Sequence, residues 1–358
     1  MPLGAAGAVA LVAGGAFSAA QAADKLEPRT AAELLADLQT SHVDGFYGTV
    51  VQRSSLGLPE LPNIGGSSST GSLTDLLSGS HTARLWYAGP TKQRIAVMDP
   101  VNETDVFRDG DQLWQWSSAT KTATHSQLPP GSAKHEPPGP TLTPDQVAQR
   151  ALAALDPTTI VQTDNNKSVA GRAAYELSLV PRATGSRIGA VHIAIDGQYK
   201  VPLGVQVYPR GSDPSVAIDV SFTDINFAVP GDDNFRFTPP KGSTVHEQQL
   251  GMGSTGDHAA AAALNPQTIG TGWTSIVMLH AADLLPGSAP PPGNGTPEQR
   301  AVPPALEFLN ALTPVSGTWG SGRLLDSKLL SILVTNDGRV FAGAVDPSAL
   351  YAAAATHK

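Results

Sequence analysis

The side chains that could attack a substrate, move a proton or hold a metal are scattered through this chain. None of its nine His residues has a partner at metal-ligand spacing. His246-Glu247 and His135-Glu136 lack a second His four residues on, so no zinc-protease helix is encoded. There is no Gly-x-Ser-x-Gly elbow, no Gly-rich phosphate loop running into Lys-Ser or Lys-Thr, and no dinucleotide fingerprint. Asp232-Asp233-Asn234 and Asp109-Gly110-Asp111 gather carboxylates, but each lacks the further oxygen ligands of a calcium loop, and turn formation accounts for both. The absence of cysteine removes thiol catalysis, thiolate metal sites, disulfides and a lipid-bearing N-terminal Cys. With 23 basic against 31 acidic side chains and no basic run, the chain does not suit nucleic acid. The expectation is a protein that is not an enzyme, uses no cofactor or metal, and works by binding.

The aromatic residues are more informative. Trp114 and Trp116 are two apart and share one face of a strand, with Trp86 and Tyr87 in a neighbouring strand region. They lie within a series of short segments between Gly45 and Phe237 that alternate apolar and polar residues between Gly, Pro, Asn and Asp. Ile188, Ala190, Ile193 and Ile195 show the pattern best, before a turn at Asp196-Gly197. Strands are predicted at 45–53, 82–88, 92–99, 103–108, 112–117, 159–164, 168–171, 173–181, 187–196, 202–209 and 216–227. A period of two makes this a large antiparallel sheet with one apolar face. If that face were concave and carried Trp, Val and Ile, it would hold an acyl chain at about 0.8 kcal/mol per buried methylene. Core packing beneath helices gives the same pattern.

Other elements frame the sheet. Leu3 to Ala20 is uncharged and ends in Ala20-Gln21-Ala22, so 1–23 reads as a signal peptide or a membrane anchor, although no positive residue precedes it. Thr30-Ala31-Ala32-Glu33 is a capping box for a helix over 31–41. Ser54 to Ser80 is Ser/Gly/Pro-rich yet dotted with leucines, an excursion able to lie on apolar surface. A proline-rich crossing at 128–144 leads into a second helix over 145–155, with Thr143 as N-cap and Pro144 at its first position. A connector at 249–267 precedes a small α+β domain at 268–358. There the pattern predicts a strand over 273–279, a helix over 304–312, strands over 322–335 and 339–345, and a terminal helix capped by Asp346-Pro347.

The order of these features resembles the LolA-like superfamily, which includes lipoprotein carriers of the LolA type and sigma-factor regulators of the RseB/MucB type. The resemblance rests on Gly45-Phe46-Tyr47-Gly48-Thr49-Val50, Arg84-Leu85-Trp86-Tyr87 with Lys92-Gln93-Arg94-Ile95, and Asp109 through Trp116. It continues in Val169 through Leu177, Ile195-Asp196 through Val201-Pro202-Leu203, Phe222-Thr223-Asp224-Ile225, and Phe235 through Pro240. It covers 24–248 and implies a mainly β, α+β fold: a curved antiparallel half-barrel of about eleven strands lidded by helices. The Ala/Gly/Pro-rich composition suits an actinobacterial member. The resemblance further implies an extracytoplasmic, secreted or membrane-anchored protein holding a lipid, lipoprotein or other acylated molecule at the outer face of the cytoplasmic membrane. The alternative is an envelope-stress regulator binding an anti-sigma factor or another membrane protein. The cavity is assigned to Tyr47, Val50, Trp86, Ile95, Val97, Trp114, Trp116, Ile193, Ile195, Val205, Val207, Val220 and Phe222. The 54–80 insertion and 268–358 have no counterpart in the minimal carrier.

Overall fold

The computed structural model describes residues 18–19, 25–58, 78–128, 158–211, 214–249, 266–280, 309 and 311–357. The predicted helix over 145–155, residues 59–77 of the insertion, the crossing from 129 onward and 281–308 lie outside the described residues. So does the export segment apart from Ser18 and Ala19.

Alternating side chains and turn residues fold most of the rest into ladders. In chain order the elements are β1 (Ser18–Ala19), α1 (Ala31–Thr40), β2 (Phe46–Ser55), β3 (Ser78–Tyr87), β4 (Lys92–Met98), β5 (Glu103–Asp109), β6 (Gln112–Ser117) and β7 (Thr122–Gln127). They continue with β8 (Thr159–Val169), β9 (Arg172–Pro181), β10 (Ile188–Asp196), β11 (Pro202–Pro209), β12 (Ile218–Asn226) and β13 (Thr244–Gln249). These strands form one open, curved sheet in the order β1-β8-β9-β10-β11-β12-β2-β3-β4-β5-β6-β7-β13. All pairings are antiparallel except that of β13, which lies parallel on β7. The expected antiparallel half-barrel is therefore present as an open sheet, with β1, β7 and β13 added to the strands legible in the sequence. The two strands predicted over 159–164 and 168–171 are one, β8, interrupted by a register shift between Asp164 and Lys167.

β13, on the far side of β7, forms one edge of the sheet. On the other side, the segment before α1 runs along β8: Leu26 N donates to Asn165 O at 3.2 Å, and Asn165 Nδ2 donates to Leu26 O at 2.6 Å. The helix that follows starts where the capping box predicts. Thr30 Oγ1 accepts from Glu33 N at 3.3 Å while Glu33 Oε2 accepts from Thr30 N at 2.8 Å. The bond from Thr30 N, with one from the Thr30 hydroxyl at 2.9 Å, holds the Glu33 carboxyl below its ordinary value. Leu34 then enters the sheet fully buried.

The C-terminal part contains β14 (Gln267–Ile269), β15 (Ile276–His280), β16 (Thr313–Gly317), β17 (Gly320–Asp326), β18 (Ser331–Thr335), β19 (Arg339–Gly343) and α2 (Pro347–Thr356). They form a second sheet in the order β14-β15-β19-β18-β17-β16, on which α2 buries Leu350, Ala353 and Ala354. The single strand predicted over 322–335 is two strands. The chain reverses where Ser327 N donates to Leu330 O at 3.0 Å and Ser327 Oγ accepts from Leu330 N at 3.1 Å. Leucines on both sides of that turn hid it from the hydrophobic pattern.

The second sheet docks on the first. Trp273 packs among Leu177, Ile193 and Val205, and its Nε1 donates to Thr159 Oγ1 at 2.7 Å. Leu329 packs with Leu56 and Ala217, and Lys328 N donates to Leu56 O at 2.8 Å. Arg187 N donates to Ala344 O at 2.8 Å beside a bridge between Ser186 and Val345.

Candidate functional site: two faces of the long sheet

Residues directly opposite each other in antiparallel strands share a face. Register therefore decides which of the predicted residues can meet. Ile193 opposes Val205, Val205 opposes Val220, and Phe222 opposes Val50. Val50 opposes Ala83, which opposes Val97, and Leu85 opposes Ile95. Ile195 and Val207 extend the same face, opposite Tyr175 and Val191. The aliphatic members of the predicted set and Phe222 thus share one apolar face. It is organised as two packed clusters, one around Val50, Leu85 and Phe222, the other around Leu177, Ile193 and Val205. α1 covers the second cluster through Leu34, Leu35 and Leu38, and Trp273 of the second sheet joins it there. Ile193, Ile195 and Val205 are 0% exposed, so a chain held there must enter beneath this cover.

The predicted aromatic residues lie on the opposite face. Tyr47 opposes Trp86, Trp86 opposes Arg94, Arg94 opposes Phe107, Phe107 opposes Trp114, and Trp114 opposes His125. His125 in turn neighbours Glu247 of β13. Trp116 lies on this face too, opposite Asp105 and Ala123. Tyr47, Trp86, Trp114 and Trp116 therefore do not line one surface with Val50, Ile193 and Phe222. Alternation within a strand shows which residues share a face, but only pairing relates that face to the faces of other strands.

This second face is packed aromatic against cation. The Arg94 guanidinium lies 4.6 Å from the Trp86 ring and 4.5 Å from the Phe107 ring. It also donates to Asp105 Oδ1, from Nε at 3.0 Å and Nη2 at 2.8 Å. Burial pushes the Asp105 carboxyl up to about 6, outweighing the opposite pull of Arg94. Phe237 closes over the row, stacked on Phe107 at 4.8 Å and touching Trp114 at 5.4 Å and Trp116 at 5.9 Å. His125 stacks on Trp114 at 4.3 Å, with its ring nitrogens 2.8 Å from Glu247 Oε2 and 2.7 Å from Gln112 Oε1. The closing Phe235-Arg236-Phe237 segment and β13 are thereby tied to the aromatic row.

Farther along the same face runs a polar row, Gln162, Ser178, His192, Gln206, Asp219 and Arg53, each opposite the next. Its ends are exposed, while Ser178, Gln206 and Asp219 in the middle are buried. Tyr208 OH donates to Gln206 Oε1 at 2.9 Å, and Glu176 lies 3.3 Å from His192 Nδ1 and 3.6 Å from Lys167 Nζ. Burial alone would push the Glu176 carboxyl up, but His192, with Lys167 and Ser178, outweighs it and leaves it below its ordinary value. Sequence reasoning placed no function here because polar residues at alternate strand positions read as a solvated face. Among the described residues no group of His, Asp or Glu is arranged to hold a metal ion.

The class defined by these elements is an α+β protein built on an open, curved antiparallel sheet, with one apolar face and a second sheet docked beside it. No protein-family model matches the chain. No curated protein matches it either. Solved structures similar to it are described as MucB and as a LolA superfamily protein. The complex of MucA and MucB from Pseudomonas aeruginosa is 13% identical, covers 90% of this chain and 96% of that one, and has a TM-score of 0.44. A LolA superfamily protein from Nitrosomonas europaea is 12% identical, covers 59% and 99%, and has a TM-score of 0.21. An uncharacterised conserved protein from Thermus thermophilus is 13% identical, covers 62% and 100%, and has a TM-score of 0.32. At these identities and TM-scores none of them assigns an activity to this chain.

Proposed function

We propose that the chain is a non-catalytic binding protein of the cell envelope that holds the acyl part of a lipid or lipoprotein against the apolar face of the long sheet. The observation that carries this reading is the register that puts Val97, Val50, Phe222, Val220, Val205 and Ile193 on one face, packed as two clusters and sheltered at one end by an amphipathic helix and Trp273. An acyl chain bound there would bury methylenes without any reacting group. Residues 1–23 would direct the chain across the cytoplasmic membrane. β1 pairs through only Ser18 and Ala19, so removal of that segment leaves the other twelve strands paired. Among the described residues no helix is long and apolar enough to cross a membrane. A second reading, a regulator that binds an anti-sigma factor or other membrane protein, is favoured by the docked second sheet, which acyl binding by the first does not require.

Brominated acyl chains quench tryptophan at short range, and four of the five tryptophans divide between the faces of the long sheet, Trp319 lying in the second sheet. Trp273 lies in the apolar cluster, whereas Trp86, Trp114 and Trp116 lie across the sheet. A variant retaining only Trp273, the others being Phe, should be quenched by a brominated fatty acyl lipid. A variant retaining only Trp114 should not. Quenching confined to Trp114 moves the site to the aromatic face, and no quenching of either rejects the acyl reading.

A further inference from the structure

A cleft of about 350 Å³ opens where the two sheets meet, lined by Arg187, Arg210 and Lys328 against one carboxylate, Asp346, with Ser186 and Pro209 between them. In a chain of net charge −8 this is a local excess of cations. Arg187 is paired within the fold, at 2.6 Å from Asp326 and 3.2 Å from Asp346. Arg210 is held differently. Its Nε donates to Ser186 O at 2.7 Å, and its Nη2 to Pro181 O at 3.2 Å and Ala183 O at 3.0 Å. Those carbonyls fix the guanidinium plane but leave its charge unneutralised, and among the described residues no carboxylate pairs with it. Lys328 adds an ammonium group, 3.3 Å from Ser215 Oγ. Asp346 is the N-cap residue of α2, but its carboxylate makes no capping hydrogen bond there and faces Arg187 instead.

The cleft also adjoins the apolar face. Arg187, Pro209 and Lys328 are next or nearly next in sequence to Ile188, Val207 and Leu329. Those three pack together in the cluster of Leu56 and Ala217. Ile188 and Val207 also belong to the margin of the Ile193 cluster. The sheltered face and the cationic cleft are therefore linked through Ile188, Val207 and Leu329, whose near neighbours in the chain line the cleft. A surface of that kind fits a molecule with an acyl part and an anionic head. Fixed guanidinium donors beside an ammonium group suit a phosphate oxyanion. We propose that the cleft seats the phosphate group of an amphiphile whose acyl part lies on the apolar face, an inference that rests on the acyl-binding reading above.

The test compares two ligands with the same brominated chain, a lysophosphatidic acid and a monoacylglycerol, by quenching of the Trp273-only protein. The phosphate-headed ligand should bind about three- to tenfold tighter, with the difference shrinking as salt rises. Lys328→Gln leaves the backbone bond to Leu56 intact and should bring the two ligands together. Asp346→Asn should widen the gap. Equal binding of both ligands, unchanged in both variants, overturns the cleft while leaving the acyl reading standing. If neither ligand quenches Trp273, the acyl reading fails, and broadening of the phosphorus resonance of inorganic phosphate becomes the deciding arm. Broadening lost in Lys328→Gln then supports a free-phosphate site and overturns the amphiphile, whereas no broadening overturns the cleft as an anion site.

Discussion

Replacing Arg94 by Met keeps most of the side-chain length and removes the charge between the Trp86 and Phe107 rings. The Arg94 side chain is 24% exposed and that of Asp105 5%, so the pair is largely out of water. Removing one partner of a buried pair costs about 3–5 kcal/mol when the other stays ionised. Asp105 escapes that cost by taking a proton, which makes the loss depend on pH. Its carboxyl is raised from 3.8 to about 6 because burial outweighs Arg94. The native state therefore holds this proton more tightly than the unfolded chain does. The associated stability is fully present below about pH 4, is lost as pH rises through about 6, and amounts to about 3 kcal/mol for a shift of this size. Arg94→Met removes the largest influence that lowers the Asp105 value, so the folded value climbs further. Urea denaturation should then show a loss of about 1 kcal/mol at pH 5, from the missing ring contacts, and about 3–5 kcal/mol at pH 8. Adding Asp105→Asn should abolish the difference between the two pH values. Equal losses at pH 5 and pH 8 in the single variant would refute the claim that a buried carboxylate is the source.

Two further outcomes follow from packing. Leu34→Ala should lower stability by about 2–5 kcal/mol, read as a shift in urea midpoint, because the side chain is fully buried between α1 and the sheet. Gly48→Ala should disrupt pairing of β2 with β12, seen as faster amide exchange in both strands, since a Cβ there would lie 2.4 Å from Asp224 O. Gly48 pairs with Ile225, one pair beyond the register shift between Phe222 and Asp224 that leaves Thr223 as an extra residue opposite the step from Val50 to Thr49.

The strands that were legible in the sequence carry their own signal. β2, β10 and β11 alternate residues such as Val50, Ile193 and Val205 with polar neighbours, and their turns carry Gly or Asn. β7 reads Thr-Ala-Thr-His-Ser-Gln, with Ala123 its only large-scale apolar cue. It becomes a strand because β6 beside it presents Trp114 and Trp116 to His125 and Ala123. β13 is polar almost throughout and is held by its ladder to β7 and by the His125–Glu247 contact. The candidate site divides in the same way. That Ile193 and Ile195 share a face follows from their spacing, but that Trp114 lies across the sheet from Phe222 depends on pairings between distant strands. The cleft was illegible for the same reason: Arg187, Arg210 and Lys328 meet only after two sheets have formed and docked.

The parallel seat of β13 has a further consequence. An open sheet of this width would ordinarily end in a long row of unpaired amides, on which another molecule could add its own strand and begin a filament. Here the last strand on one side is β13, a short polar strand that carries exposed His246 and Glu247, and the Leu26 segment occupies part of the other side. Short, charged edge strands are poor templates for a further strand, so what restrains lateral growth is the character of the terminal strand and not the loss of an edge.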